Sequence, residues 1–280
     1  MELREFGIWT SYRSIGEEHA GEAAKLVEDL GFDAFWLGGS PALGAVRPFL
    51  DATDQLTLAT GILNVWANQP AKVAAEHSEL TREFPGRLLL GVGIGHPEAT
   101  SDYSRPLSTM RQFFDGLDRA ETPVPRDERC MAALGPKMLD LSAERSLGAH
   151  PYFIPVQHTV YARERIGPGR LLAPELACVL DADAERARAT ARNYAQTYLG
   201  LRNYTSNLLR VGFTEQDLAD GGSDRLIDAV IPHGTAAEIA AVAHEHLAAG
   251  ADHVCLQPVG VSGIPRHEWT ALASALELDV

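Results

Sequence analysis

The ten residues Arg87–His96, R-L-L-L-G-V-G-I-G-H, decide the fold of this chain. Strand side chains alternate between two faces with a period of two residues, so this segment has one apolar face and one face that is almost bare backbone. The apolar face carries Leu88, Leu90, Val92 and Ile94, and the bare face carries Leu89, Gly91, Gly93 and Gly95. Glycine weakens a strand because it has no side chain to pack. The pattern therefore indicates either a ligand against the backbone or a closely packed neighbouring element.

Composition and charge describe an ordinary globular chain and limit its partners. The chain has 280 residues, of which 45% are hydrophobic and 22% are charged, so we expect a single domain over residues 1–280. Its net charge of −14 argues against nucleic-acid and membrane-surface partners, since both require a basic face. Any anionic ligand has to be held locally, by backbone N–H groups, helix N-termini or a few arginines.

The cysteines and the first residues indicate the compartment. Cys130, Cys178 and Cys255 lie far apart and form no C-x-x-C pair, which is typical of small buried residues in a reducing cytoplasm. The chain shows no basic leader followed by an apolar run, and no window approaches ~18 consecutive apolar residues. We therefore expect a cytoplasmic protein without a membrane span.

Short apolar runs alternate with helical patterns along the chain, which indicates βαβ units and a parallel sheet. The predicted strands are Phe6–Thr10, Ala34–Leu37, Leu56–Leu63, Arg87–Gly95, Cys130–Leu134, Leu147–His150, Leu176–Asp181 and His253–Gln257. The predicted helices are Glu17–Leu30, Pro70–Glu83, Pro136–Ser146, Ala184–Tyr198, Ala236–Ala249 and Arg266–Leu276. Eight strands predict a closed (β/α)8 TIM barrel. An open doubly wound sheet is the alternative, and the absence of a G-x-G-x-x-G fingerprint disfavours it.

Three segments are too long to be simple connections: Ser101–Arg129, Tyr152–Glu175 and Thr197–Thr235. Long loops in a compact domain are usually functional or mobile. In a barrel, additional segments that follow the carboxyl ends of strands build the mouth of the active site. We therefore expect insertions at that end of the barrel.

The predicted strand ends are rich in glycine and poor in acids and bases, which suits a large flat cofactor bound through backbone contacts. No metal site is expected, because His244 and His246 stand two residues apart on a helix and point to different faces. No G-x-S-x-G elbow of a serine hydrolase is present. The turn Leu134–Lys137, L-G-P-K, runs from a strand end into a helix, and the N–H groups of such a first turn can hold a phosphate.

These segments together resemble the bacterial luciferase-like oxidoreductases, specifically the branch that uses the deazaflavin coenzyme F420. The resemblance spans about residues 6–260 and depends on the order and spacing of its motifs. They are G-F-D-A-F-W-L-G at Gly31–Gly38, L-A-T-G-I at Leu58–Ile62, the glycine strand from Gly86 to Gly95, A-A-L-G-P-K-M at Ala132–Met138 and G-A-H-P-Y at Gly148–Tyr152. The resemblance implies a barrel whose mouth holds the deazaflavin ring, and family members are commonly dimers, so we expect a homodimer.

The resemblance also implies where the coenzyme binds. A bulge at the end of the third strand, often with a non-prolyl cis peptide, would back the ring, and the turn before the helix at Pro136 would take the phosphate. The residues expected at the coenzyme are Gly38, Gly39, Gly61, Ile62, Gly93, Gly95, Leu134, Gly135, Pro136 and His150.

The chain departs from the family where catalytic groups are concerned. Several deazaflavin enzymes carry a histidine or an acid at the end of strand two, where this chain has Gly38-Gly39-Ser40. Others place a glutamate directly after the last glycine of strand four, where this chain has His96, with Glu98 two residues later. Histidine titrates near neutral pH, so His96 and Glu98 are the candidate proton carriers, although His96 serves equally well as a hydrogen-bonding contact. A second group of candidates follows strand six and comprises His150, Tyr152 and His158.

The expected function is hydride transfer between F420 and a small organic substrate. The nearest alternative is an FMN-dependent monooxygenase of the same family. A different class of function is an inactive barrel that binds a flavin or serves as a partner subunit, and the missing group on strand two gives it weight.

Overall fold

Parallel strands form one continuous sheet in the part of the chain that the computed structural model describes, residues 1–96 and 103–278. The strands are β1 Phe6–Ser11, β2 Ala34–Gly38, β3 Thr57–Thr60, β4 Leu63–Asn64, β5 Leu88–Gly93, β6 Arg129–Met131, β7 Gly148–Ala149, β8 Leu171–Leu172, β9 Glu175–Leu180, β10 His233–Gly234 and β11 Val254–Pro258.

Helices follow most of the strands, and several of them begin at a proline. Proline stands at the start of α4, α5 and α6, where its missing N–H costs no hydrogen bond. The helices are α1 Tyr12–Ile15, α2 Ala20–Asp29, α3 Arg47–Asp51, α4 Pro70–Glu83, α5 Pro106–Asp118, α6 Pro136–Arg145, α7 Val156–Ile166, α8 Ala184–Leu199, α9 Arg202–Arg210, α10 Glu215–Leu218, α11 Asp224–Val230, α12 Ala236–Ala248 and α13 Arg266–Ala275.

The sheet closes on itself. Its order runs β9-β11-β1-β2-β3-β5-β6-β7-β8, with β4 paired to β5 and β10 paired to β9. Since β8 leads into β9 after two residues, that path joins β7 on one side to β11 on the other. The Cys255 N–H donates to the Pro174 carbonyl at 2.9 Å, and the Asp252 N–H donates to the Leu172 carbonyl at 2.9 Å. The predicted (β/α)8 barrel is therefore confirmed, and the open sheet is wrong.

The two faces of β5 behave as the alternation predicts. Leu88, Leu90 and Val92 belong to the large core between the barrel and its helices. Leu89 belongs to a separate cluster inside the barrel, together with Trp9 and Trp36. The bare glycine face therefore points into the barrel.

Gly91 is a packing residue. A Cβ on Gly91 would lie 1.9 Å from the Thr60 carbonyl oxygen, and the Thr60 hydroxyl donates to the Gly91 carbonyl at 2.7 Å. At this depth of the barrel, the neighbouring strand explains the missing side chain.

The three long segments contain regular structure that the sequence analysis missed. Residues 101–129 contain α5, residues 152–175 contain α7 and β8, and residues 197–235 contain α9, α10, α11 and β10. In α5 the buried residues are Met110, Phe113, Phe114 and Leu117, which is the spacing of a helix that packs one face.

The third strand is also shorter than predicted, because its path breaks at Gly61–Ile62, between β3 and β4. In the described residues, no helix is long and apolar enough to cross a membrane.

Substitution of Gly91 tests this packing. We expect Gly91→Ala to lower the free energy of unfolding by about 1–3 kcal/mol, because overpacking a closed core forces the backbone to move. The matched control is Gly44→Ala, since nothing lies within 4 Å of the added Cβ there. Denaturant unfolding measures both, and a Gly91→Ala variant as stable as Gly44→Ala would contradict the assignment.

Candidate active site

A cavity of about 490 Å³ opens at the carboxyl ends of the barrel strands, the end at which barrel enzymes place their chemistry. Seven of the ten residues predicted at the coenzyme line it: Gly39, Gly61, Ile62, Gly95, Leu134, Gly135 and His150. Gly38, Gly93 and Pro136 do not. The sequence analysis therefore located the cavity, but it did not distinguish its wall from the layer behind the wall.

The peptide bond between Gly61 and Ile62 is cis, as the family resemblance led us to expect. This step separates β3 from β4, so the strand leaves its regular path where it reaches the cavity. Both residues line the cavity, and the peptide presents a flat backbone surface to it.

The missing side chains of Gly38 and Gly61 make room for the indole of Trp9. A Cβ on Gly38 would lie 2.0 Å from Trp9 Cζ2, and a Cβ on Gly61 would lie 2.5 Å from Trp9 Nε1. Gly38 therefore lies behind Trp9, which lines the floor of the cavity, and contact between Gly38 and a coenzyme stays a prediction.

Gly93 has a similar supporting position. A Cβ on Gly93 would lie 2.7 Å from Ile62 Cγ1 and 3.2 Å from Ala132 Cβ, so Gly93 lies beneath Ile62 and not in the wall. Gly95 does line the cavity, and its φ of 65° is one that glycine adopts without strain.

His150 presents a free acceptor to the floor. Its Nδ1 donates to the Ala173 carbonyl at 2.6 Å, and its ring stacks on Trp36 with centroids 4.3 Å apart. Burial lowers the pKa of His150 to about 4, so the ring is neutral near pH 7 and Nε2 is an acceptor. Nε2 is buried and has no partner among the described residues.

The indole of Trp9 supplies the complementary donor. Trp9 Nε1 is likewise buried without a partner in the described part of the chain. Both nitrogens lie within 3.3 Å of the point that a Cβ on Gly61 would occupy. An unpaired buried donor and an unpaired buried acceptor each cost free energy, so their meeting at a cavity floor indicates a polar group of a ligand.

A cluster of three phenols forms another part of the wall. The Tyr152 hydroxyl contacts those of Tyr194 and Tyr198, the latter at 3.0 Å, and donates to Gln257 Oε1 at 2.9 Å. The hydroxyls of Tyr194 and Tyr198 lie 3.2 Å apart. Tyr152 and Tyr198 line the cavity. We call the hydroxyls of Tyr152, Tyr194 and Tyr198 the phenol cluster.

Glu175 is buried near the phenol cluster. Its Oε2 accepts a hydrogen bond from the Phe153 N–H at 3.0 Å, and its Oε1 has no partner among the described residues. Burial raises the pKa of Glu175 to about 8. At neutral pH this carboxyl is therefore protonated in the folded chain.

One end of the cavity suits an anion. Helix α6 begins at Pro136 directly after Leu134 and Gly135, which line the cavity, and a helix N-terminus favours negative charge. Arg210 from α9 lines the same cavity. No carboxylate among residues 1–96 and 103–278 forms a salt bridge with Arg210, which donates to Asn207 Oδ1 at 3.1 Å.

The candidate proton carriers have different positions. His96 lines the cavity, its Nδ1 lies 3.2 Å from Asn203 Oδ1, and its ring lies 5.3 Å from the ring of Tyr204. Glu98 lies outside the described residues. His158 is buried on α7, and its Nε2 contacts the Leu134 carbonyl at 3.1 Å, so it supports the turn before α6 and does not line the cavity.

Sequence reasoning missed Trp9, Tyr198, Tyr204 and Arg210 as wall residues. Trp9 was available, because it stands at the end of a predicted strand. Tyr194 and Tyr198 stand four residues apart and so share one face of α8. Arg210 lies in a segment predicted as a loop, and nothing in the sequence indicates that α9 brings it to the mouth.

A closed parallel barrel with a cavity of this kind defines an α/β-barrel enzyme architecture, and the comparisons identify the family. The family model for the luciferase-like monooxygenases matches residues 4–253. The chain belongs to this family of flavin- and deazaflavin-dependent oxidoreductases.

Solved structures show the same fold at low identity. An F420-dependent secondary alcohol dehydrogenase, solved with an F420-acetone adduct, has a TM-score of 0.76 and 16% identity over 99% of both chains. The F420-dependent tetrahydromethanopterin reductase of Methanopyrus kandleri has a TM-score of 0.71 and 16% identity over 100% of both chains. The oxygenating component of 3,6-diketocamphane monooxygenase from Pseudomonas putida, solved with FMN, has a TM-score of 0.69 and 12% identity over 98% of this chain and 96% of that chain.

The pKa of Glu175 predicts a pH dependence of stability. An acid whose pKa rises from 4.5 to about 8 on folding holds more protons in the folded chain, so its contribution to the free energy of unfolding falls as pH rises across that window. We expect Glu175→Gln to gain stability relative to the original chain between pH 4.5 and 8, and the gain to level off above that. Urea unfolding at a series of pH values measures this difference.

The control for this experiment is Glu121→Gln, at an exposed position. Its stability should run parallel to that of the original chain. A Glu175→Gln curve that also runs parallel would contradict the raised pKa.

Proposed function

We propose that this chain transfers a hydride between coenzyme F420 and a small organic substrate, with the coenzyme ring bound in the cavity at the barrel mouth. The observation that carries the proposal is the floor of that cavity, where Trp9 Nε1 and His150 Nε2 have no partner among residues 1–96 and 103–278 and lie beside the flat Gly61–Ile62 peptide. When bound, the deazaflavin ring supplies the hydride chemistry at one of its carbons.

The residues present fit a planar ring with a polar edge. The pyrimidine-dione edge of a deazaflavin carries carbonyl acceptors and an N–H donor, which complement the Trp9 donor and the His150 acceptor. Apolar groups of Ile62, Ile94 and Met138 line the cavity, and its volume of about 490 Å³ lies within the range of cofactor and ligand sites.

One end of the cavity is suited to bind the phosphate of the coenzyme. At the start of α6, Pro136 has no N–H, and the N–H groups of Met138 and Leu139 donate to the Gly135 carbonyl at 3.1 and 3.0 Å. The Lys137 N–H has no backbone acceptor among the described residues, the helix N-terminus favours negative charge, and Arg210 adds a positive charge on the same cavity. In a chain with a net charge of −14, such a local site is what holds an anionic coenzyme. Leu134 and Gly135 therefore belong to the proposed phosphate site, and Pro136 starts the helix that forms it.

FMN is the competing coenzyme, because it carries the same dione edge and a phosphate. The names of the solved structures include both coenzymes, with F420 in two of those compared above and FMN in one. We propose F420 on this basis and on the motif resemblance. His96 stands at the rim, where it can contact the substrate side of the site.

Fluorescence titration of the purified protein with F420 and with FMN tests the proposal. Micromolar binding of F420 without binding of FMN is the expected result. Binding of FMN alone would overturn the proposal in favour of an FMN-dependent monooxygenase. Binding of neither coenzyme would overturn it in favour of an inactive barrel.

Substitution of the floor acceptor tests the assignment of the ring. We expect His150→Phe to weaken F420 binding by about three- to tenfold, which corresponds to the loss of one hydrogen bond. Unchanged affinity in this variant would place the ring elsewhere.

Substitution of Arg210 tests the phosphate end in the same assay. We expect Arg210→Gln to weaken F420 binding about tenfold or more, because hydrogen bonds to charged groups contribute about 1.5–3 kcal/mol. The matched control is Arg119→Gln, which removes an equal charge from an exposed position outside the cavity wall. Equal affinities for the two variants would remove Arg210 from the site.

A further inference from the structure

The phenol cluster lies at the cavity, and the proposed coenzyme site does not use it. Tyr194 and Tyr198 come from α8, Tyr152 follows β7, and Gln257 belongs to β11. The four side chains therefore converge from three distant parts of the chain, and two of them, Tyr152 and Tyr198, line the cavity.

The hydrogen bonds within the cluster distinguish Tyr198 from its two neighbours. Gln257 Oε1 accepts from Tyr152 at 2.9 Å and from Tyr194 at 3.2 Å. A phenol has one proton, so both of these protons are committed when Gln257 is satisfied. Among the described residues, the Tyr198 hydroxyl hydrogen-bonds with the other two hydroxyls alone, at 3.0 Å and 3.2 Å, and Tyr198 also lines the cavity.

Resting on the proposed function, we propose that the Tyr198 hydroxyl donates its proton to the oxygen of a carbonyl substrate, with Tyr152 and Tyr194 positioned to stabilise the resulting phenolate. The substrate class is therefore a ketone or aldehyde that is reduced to an alcohol, or the alcohol in the reverse direction.

The step balances within the site. A hydride supplied by the reduced coenzyme forms a C–H bond at the carbonyl carbon, and the π pair of the C=O bond moves to oxygen. That oxygen takes the Tyr198 proton, and the O–H bonding pair stays on the phenolate oxygen. The carbonyl gains two electrons, the coenzyme loses two, and solvent returns the proton to half-buried Tyr198.

The neighbours determine how well Tyr198 can lose a proton. When it does, one of the two neighbouring hydroxyls can turn its proton to the phenolate while the other continues to donate to Gln257. Burial raises the pKa of Tyr198, whereas its hydrogen bonds with Tyr152 and Tyr194 lower it. The hydrogen bonds of the phenol cluster therefore offset part of the rise in the pKa of Tyr198 that burial causes.

The histidine on the floor of the cavity is less suited to give a proton to a substrate oxygen. His150 is neutral near pH 7 and its one N–H donates to the Ala173 carbonyl. The strand-two position that carries an acid or a histidine in similar enzymes is glycine and serine here. In this proposal Tyr198, on α8, takes that chemical role.

A pair of probes of one shape tests the proposal without turnover. Cyclohexanone carries a carbonyl acceptor, and methylenecyclohexane has a CH₂ group in its place. Their dissociation constants are measured by quenching of coenzyme fluorescence on protein loaded with the oxidised coenzyme that the titration above identifies. We expect cyclohexanone to bind about three- to tenfold more tightly, and Tyr198→Phe to abolish the difference.

Two further variants separate donation from packing. Tyr194→Phe leaves the Tyr198 proton in place, so the preference for cyclohexanone should persist. Tyr161→Phe removes a phenol hydroxyl from α7, outside the cavity wall, and should behave as the original chain. Circular dichroism melts confirm that all variants are folded.

Steady-state reduction of cyclohexanone provides the second measurement. We expect Tyr198→Phe to lower kcat by about 10²- to 10⁴-fold, the usual contribution of a general acid, and Tyr194→Phe to lower it by less. Absence of any preference between the two probes in the original chain, or an unchanged preference in Tyr198→Phe, would overturn the proposal. Failure of the coenzyme titration itself would instead overturn the proposed function.

Discussion

The indole of Trp9 and the two glycines that receive it are the constraint on which the site depends. The indole occupies the space where Cβ atoms on Gly38 and Gly61 would lie, so only glycine fits at these two positions. This packing places Trp9 Nε1 beside His150 Nε2 and beside the cis Gly61–Ile62 peptide. The floor therefore combines a donor and an acceptor that have no partner in the described part of the chain with a flat backbone surface. A Cβ at either position would collide with the indole that carries the Nε1 donor.

Much of the fold could be predicted from the sequence, because the alternation of apolar residues and glycines in Arg87–His96 indicates a strand and distinguishes its two faces. Leu88, Leu90 and Val92 do pack outward, and the bare face does point into the barrel. Its three glycines nevertheless have three different explanations: Gly91 meets a neighbouring carbonyl, Gly93 lies under Ile62, and Gly95 turns the chain at the cavity. The sequence shows a glycine in all three cases, so only the tertiary neighbours distinguish the three structural roles. The inserted helices were missed because their amphipathic faces lie within segments that also carry many turn-forming residues.

The chemistry of the site could be predicted only where it lies within one motif. The Gly61–Ile62 step and the turn before α6 are local, and both line the cavity. The phenol cluster is not local, since Tyr152 lies 42 residues from Tyr194 and 105 residues from Gln257 along the chain. Tyr194 and Tyr198 by themselves are typical of an ordinary helix face. The contrast explains why the sequence indicates the coenzyme site but not the phenol cluster.

The central claim is that the floor formed by Trp9, Gly61 and His150 receives the dione edge of a coenzyme ring. The measurement that tests it most directly is a crystal structure of the protein with F420 bound. The account predicts that the ring lies in the cavity against the Gly61–Ile62 peptide, with its dione edge within hydrogen-bond distance of Trp9 Nε1 and His150 Nε2. A ring bound elsewhere, or one that leaves both nitrogens unpaired, would contradict it.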